Sequence, residues 1–167
     1  VSPSEITAVT FTNQAAGELR SRLEASLGKR AALAITIGTF HSICLRLLQE
    51  QGDAPALLTE YEAQRIAAEL LRSLGLKGQP RQLIQDISRV KCGFPIESTS
   101  LSQETYDAYV EAVSALGALD FDDLLLEALR RWEAYERPER WERAFCHLLV
   151  DEFQDINDIQ YRLIEAF

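Results

Sequence analysis

Apolar residues in the first third of the chain come in two arrangements, short β-prone runs and helical stripes. ITAVTF, Ile6 to Phe11, is such a run and reads as a buried strand. Thr12 or Asn13 can cap the helix after it, in which Ala15, Leu19, Leu23 and Leu27 recur every fourth residue until Gly28 stops them. AITIGTF, from Ala34, begins a second strand. Thr39 or a neighbour caps a second helix, with Phe40, Ile43, Cys44, Leu47 and Leu48 facing inward and Gly52 at its end. This β-α-β-α order predicts an α/β fold with a parallel sheet and flanking helices.

The pattern then changes. From Asp53 to Gly117 it predicts helices and no strand. Thr59 and Glu62 form a capping box for a helix carrying Ile66, Leu70 and Leu71 and stopped near Gly75. Pro80 opens another, with Leu83, Ile84, Ile87 and Val90, ended by Gly93. A third starts near Gln103, with Tyr106, Tyr109, Val110, Val113 and Leu116 inward, and ends at Gly117. We expect an all-helical insertion over 53–117 between two parts of one α/β domain, 1–52 and 118–167; a single mixed domain without a boundary is the alternative. In LDFDDLLLEALRRW, Asp120 caps a helix whose apolar face is Phe121, Leu124, Leu125, Ala128, Leu129 and Trp132. A charged linker with Pro138 leads to a third strand, CHLLV, and a last helix begins near Ile156.

Charge narrows the choice of partners. The 167 residues carry a net charge of −9, so the chain as a whole does not attract polyanions. Residues 1–52 stand at +1, 53–117 at −3 and 118–167 at −7. A nucleic-acid site would therefore lie in the first third and rely on stacking and short donors. Arg65, Arg72, Lys77, Arg81, Arg89 and Lys91 of the helical middle read first as a solvated face. Cys44, Cys92 and Cys146 are scattered, which suggests three buried thiols in a reducing, cytoplasmic setting and no zinc or disulfide framework. No apolar run is long enough for a bilayer. With no methionine, a start on VSPSE and an end on IEAF, the chain reads as a piece of a longer protein.

The chemistry gathers at HLLVDEFQD, His147 to Asp155, where a strand runs into two adjacent acids. Like charges repel, so either water solvates both or a cation takes one. At the carboxyl end of a parallel strand, Asp151 could hold Mg²⁺ and Glu152 could orient or deprotonate a water. A two-metal hydrolase built on Asp120, Asp122, Asp123, Asp151 and Glu152 is a further option, although acids at a helix start are favoured anyway.

The longer strings add a family. VDEFQDINDIQ, Val150 to Gln160, resembles motif II of the UvrD/Rep/PcrA-like helicases of superfamily 1. AVTFTNQAAGELRSR, Ala8 to Arg22, resembles their motif Ia, and IGTFHSIC, Ile37 to Cys44, their motif Ib. LDFDDLL, Leu119 to Leu125, is similar to the segment that returns from the family's inserted subdomain. The resemblance implies an incomplete RecA-like motor subdomain, called 1A, carrying an inserted helical subdomain, 1B. It implies an ATP-driven translocase acting on single-stranded DNA and on junctions of single and double strands, mostly 3′ to 5′. By motif position, Asp151 would bind the Mg²⁺ of MgATP, Glu152 would be the catalytic base, and Gln154 and Asp155 would couple the site to its neighbours. Phe11, Thr12, Asn13, Thr39, Phe40 and His41 would face DNA: flat rings for stacking, short polar groups such as Thr10 and Ser42 for phosphates.

Two departures matter. Gln14 stands where the family has lysine. The nucleotide cradle G-x-x-x-x-G-K-[ST] is missing: the only Gly-Lys pair, Gly28-Lys29, has Leu23 and Arg30 at the flanking positions. We therefore expect the 167 residues alone not to hydrolyse ATP, and to expose a sheet edge that invites self-association. The helicase part of a RecB- or AddA-like helicase–nuclease fits as well. So does a motor domain that binds DNA or a partner without hydrolysis, against which the intact DEFQD stands.

Overall fold

A computed structural model describes residues 1–52, 56–134 and 138–167. The boundary expected at Asp53, and part of the linker before Pro138, lie outside the described residues. The contacts divide the chain into two compact units, one of Val1–Ala54 with Glu127–Phe167 and one of Pro55–Leu126.

The first unit is built on three parallel strands. β1 (Ile6–Val9) lies between β2 (Thr36–Gly38) and β5 (His147–Val150), in the order β2-β1-β5. The register pairs Val9 with both Gly38 and Val150, so the three strands end level. Two bonds extend the ladder past those ends: Thr10 N–H donates to the Gly38 carbonyl at 3.0 Å, and Asp151 N–H to the Val9 carbonyl at 3.0 Å. The strands are shorter than the runs ITAVTF and AITIGTF. Thr10 and Phe11 leave the sheet because Thr12 already caps α1 (Asn13–Leu27), its hydroxyl accepting the Ala15 N–H at 3.0 Å. Gly28, at φ 82°, ends α1 and starts a short helix, α2 (Lys29–Ala34), which occupies part of the expected second strand. Leu19 and Leu23 of α1 pack on Ala8, Ile35 and Ile37. Arg20 reinforces this by donating to the carbonyls of Ala32 and Ile37.

Thr39 caps α3 (Phe40–Glu50), accepting the Ser42 N–H at 3.2 Å. Its inward face, Phe40, Ile43, Cys44, Leu47 and Leu48, is buried as expected. The chain before β5 forms another short helix, α8 (Glu139–Ala144), where the sequence suggested only a linker. Thr7, fully buried in β1, donates to the Ala144 carbonyl at 2.7 Å and so ties α8 to the sheet. Trp132, Trp141, Phe145 and Phe167 form an aromatic cluster, with the Phe145 and Phe167 rings stacked 4.0 Å apart. Both indole N–H groups are satisfied, by the Ala166 carbonyl at 2.6 Å and Glu50 Oε2 at 2.8 Å. The last helix, α9 (Asp158–Ala166), is capped by Asn157 with a reciprocal bond from Gln160.

The second unit holds α4 (Glu60–Ser73), α5 (Pro80–Lys91) and α6 (Gln103–Ala115) around Ile66, Ala67, Leu83, Ile87, Tyr109 and Val113. The Thr59–Glu62 capping box forms. The unit is not all-helical: β3 (Ala56–Leu57) pairs in parallel with β4 (Ala118–Leu119). Two-residue strands carry no periodicity, and each is half of a pairing across the whole insertion. α7 (Phe121–Glu133) begins in this unit and continues into the other. Asp120 caps it, Oδ1 accepting the N–H groups of Asp122 and Asp123. Lys91, its side chain 1% exposed, lies 2.6 Å from both Asp120 Oδ2 and Asp123 Oδ1. Burial alone would lower its pKa; the two carboxylates outweigh burial and raise it.

Several exposures differ from the sequence reading. Phe121, placed on the apolar face of α7, is 63% exposed, and the buried stripe begins at Leu124. Val110 and Leu116 of the α6 stripe are exposed too. Of the three cysteines only Cys44 is buried; Cys92 is half-buried and Cys146 exposed. Among the described residues, no helix is long and apolar enough to cross a membrane.

Candidate nucleotide and nucleic-acid site

The level strand ends place three short segments on one edge of the sheet: Thr10–Asn13 after β1, Thr39–His41 after β2 and Asp151–Asp155 after β5. Ligands of parallel α/β sheets bind beyond this edge. Two helices, α1 and α3, start there, so their first N–H groups lie on the same side of the molecule.

At the end of β5 both acids are exposed. Asp151 is held through its backbone by Val9, and its Oδ1 accepts the Glu152 N–H at 3.1 Å. Glu152 is the one non-glycine residue of positive φ among the described residues, at φ 48° and ψ 44°. For a residue with a Cβ such a conformation costs about 1–3 kcal/mol and marks a turn that the surroundings impose. A 3₁₀ turn, Phe153–Asp155, follows at once; the Asp155 N–H donates to the Glu152 carbonyl at 2.9 Å. Gln154 Nε2 donates to Glu152 Oε2.

Asp151 also lines a cavity of about 440 Å³ beside β1 and α1, with Thr10, Glu18 and Arg22 as its other polar groups and Ala8 and Leu19 among its apolar ones. Glu18 and Arg22 lie within the motif Ia string, and sequence reasoning gave them no role. The available signal was the motif Ia resemblance itself, whose acid and arginine fall on these positions, four residues apart on one helix face. Gln14 is tied to that face: its Nε2 donates to Glu18 Oε1 at 3.0 Å.

The residues expected to face DNA divide by accessibility. Phe11, Thr12 and Asn13 are exposed, Phe11 at 37%. Thr39 and His41 are half-buried. Phe40 is 4% exposed, so its ring belongs to the core and offers no open face for stacking. Thr10 is 2% exposed and its hydroxyl donates to the Thr12 carbonyl at 3.0 Å, so it is not a phosphate donor here. Ser42 likewise spends its hydroxyl on the Thr39 carbonyl. The hydroxyls of Thr12 and Thr39 serve as caps.

Among the described residues no cluster of three or more His, Cys, Asp and Glu could cage a metal. Asp120 and Asp123 close on the Lys91 ammonium, which already serves as their counter-charge. A single exposed carboxylate at a strand end fits Mg²⁺, which is commonly bound through one or two carboxylates together with substrate phosphates.

The family model of the UvrD/REP helicase N-terminal domain matches residues 1–167. The chain is 35% identical over 188 aligned residues to the ATP-dependent DNA helicase UvrD1 of Mycobacterium tuberculosis and of Mycobacterium bovis, covering 98% of this chain and 24% of theirs. It is 30% identical over 185 residues to the ATP-dependent DNA helicase PcrA of Staphylococcus aureus, covering 99% of this chain and 25% of that protein. The chain thus spans about a quarter of the length of these relatives. With its whole length matched by that model, the chain belongs to the UvrD/REP helicase family, in the N-terminal domain.

Proposed function

We propose that the protein to which these residues belong is an ATP-dependent helicase or translocase acting on single-stranded DNA and on its junctions with duplex. The observation that carries the reading is the Asp151–Glu152 pair at the end of β5, level with the starts of α1 and α3, in a chain of this family. Asp151 would hold the Mg²⁺ of MgATP, and its Oδ2 is not engaged by the Glu152 N–H. The metal, when bound, neutralises charge on the phosphates. Glu152 orients the attacking water and accepts its proton. Phe11 offers a ring to a base, which contributes about 1–3 kcal/mol per base irrespective of sequence. Asn13, Thr39 and His41 and the backbone donors at the two helix starts take the phosphates. The unit of α4 to α6 would be the inserted subdomain 1B and the three-stranded unit part of the motor subdomain 1A. Movement is 3′ to 5′, the direction common in the family.

ATP hydrolysis by the full-length protein, with and without single-stranded DNA, tests the reading. We expect DNA-stimulated turnover that Glu152→Gln abolishes, and unwinding of duplexes with a 3′ tail in preference to a 5′ tail. Turnover unchanged by Glu152→Gln refutes the assignment of the base; DNA binding without turnover favours a non-hydrolysing module. The 167 residues alone, lacking G-x-x-x-x-G-K-[ST], do not hydrolyse ATP.

A further inference from the structure

We propose that Gln154 is the positioning residue for the Glu152 carboxylate. Its amide holds one carboxylate oxygen and leaves the other to meet the water. This rests on Glu152 being the base.

Glu152 is anchored at three points within its own turn. Its N–H donates to Asp151 Oδ1, its carbonyl accepts the Asp155 N–H, and its Oε2 accepts from Gln154 Nε2. The first two bonds fix the left-handed backbone; only the third reaches the reacting group. An exposed glutamate otherwise samples many rotamers, and a base that is not held in line with its water loses rate. The choice of glutamine also has a chemical reason. An amide is a neutral donor, so it orients the carboxylate without forming the ion pair that lysine or arginine would form there. The left-handed turn at Glu152 and the 3₁₀ turn after it bring residues 152 and 154 together, although both side chains are exposed and no core packing holds them.

The test uses the full-length protein, with three readouts: kcat and KM for DNA-stimulated ATP hydrolysis, affinity for a fluorescent ATP analogue, and melting temperature. Gln154→Ala should lower kcat about 10- to 100-fold, with KM, analogue affinity and melting temperature unchanged. Gln154→Glu, of the same size but unable to donate, should lose at least as much. In a Glu152→Ala background, Gln154→Ala should cause no further loss, because the two act as one unit. A second loss of the same size in that background overturns the proposal, since Gln154 would then act on its own. A raised KM and lowered melting temperature at constant kcat also overturn it, as a merely structural role would behave so. Unchanged kcat in Gln154→Ala beside an inactive Glu152→Ala overturns the positioning role and leaves the base assignment standing. Full turnover in Glu152→Ala overturns both.

Discussion

Replacing Lys91 by methionine keeps most of the stem and removes the ammonium. Asp120 and Asp123 are then left close together without the cation that each now meets at 2.6 Å. Breaking a buried pair by removing one partner costs about 3–5 kcal/mol. The aspartates retain 13% and 22% of their side-chain exposure, so water recovers part of that and we expect about 3 kcal/mol, the low end. The contact of Lys91 Nζ with the Tyr109 ring, 5.6 Å to its centroid, is lost as well. Against the ~5–15 kcal/mol that stabilises a whole domain, this is a large share. Urea unfolding followed by far-ultraviolet circular dichroism, to which α4 to α6 contribute, reads the effect. At a slope of about 1 kcal/mol per M, the midpoint should fall by about 3 M. Adding Asp123→Asn should restore at least ~1 kcal/mol by removing one of the two unpaired charges. A fall below ~0.5 M, or no recovery in the double variant, would refute the account of Lys91 as the counter-charge of this cluster.

Other outcomes follow from the same geometry. Glu127 is held at about 2 by its bonds from Arg130, which outweigh burial, with Arg131 adding to them. Its folded pKa lies below the unfolded one, so its contribution is present above the ordinary 4.5 and is lost as pH falls through about 2. Glu127→Gln should flatten that acid limb by no more than ~1 kcal/mol, because the group is only half-buried and its partner Arg130 lies in solvent, which screens the pair; acid titration of the melting temperature reads it. Asp122 is raised, first by burial, so the opposite sign holds: its ionisation costs the fold stability as pH rises above the ordinary carboxylate value of 3.8. Asp122→Asn should therefore leave the helical unit as stable or more stable at neutral pH, measured by the same dichroism melt. A Cβ at Gly38 would meet Ser42 Oγ at 2.3 Å. Gly38→Ala should force Ser42 to turn and drop its bond to the Thr39 carbonyl, at a cost of about 1 kcal/mol read from the melting temperature; in a Ser42→Ala background, which already lacks that bond, the same substitution should cost less. The 167 residues alone should self-associate through the outer edge of β5, where Leu149 is 62% exposed. A constant mass by light scattering over a wide concentration range would count against that.

Much of the fold is legible where one residue decides a local question. Thr12, Thr39, Thr59 and Asp120 each offer a hydroxyl or carboxylate just before a helical stripe, and each caps a helix. Gly28, Gly75, Gly93 and Gly117 take positive φ after helices, as stops do. What is missed is short or distant. KRAALA and ERWERA span less than two turns, too few for a period to declare itself, and the second depends on Thr7 for its place. The site follows the same division. Its acids announce themselves by following an apolar strand. The use of the Thr10 hydroxyl depends on the turn after β1, and the burial of Phe40 on packing that the motif string does not encode. The left-handed Glu152 has no signal at all, since glutamate carries no preference for that conformation.

The small ladder of β3 and β4 makes the helical unit a cassette. Ala56 pairs with Ala118 and Leu57 with Leu119, and the Leu58 N–H reaches the Leu119 carbonyl at 2.9 Å. The chain therefore leaves this unit beside the point where it arrived and heading in the same direction, about 4.8 Å away. Whatever lies between, the ends presented to the rest of the chain keep the same separation and polarity. Lengthening such a closed loop costs little, since each doubling adds only about 0.6 kcal/mol of closure entropy. Sequence between Leu58 and Gly117 is thus free to grow, shrink or be exchanged, provided that the pairs at its neck and the counter-charge that Lys91 gives Asp120 and Asp123 are kept.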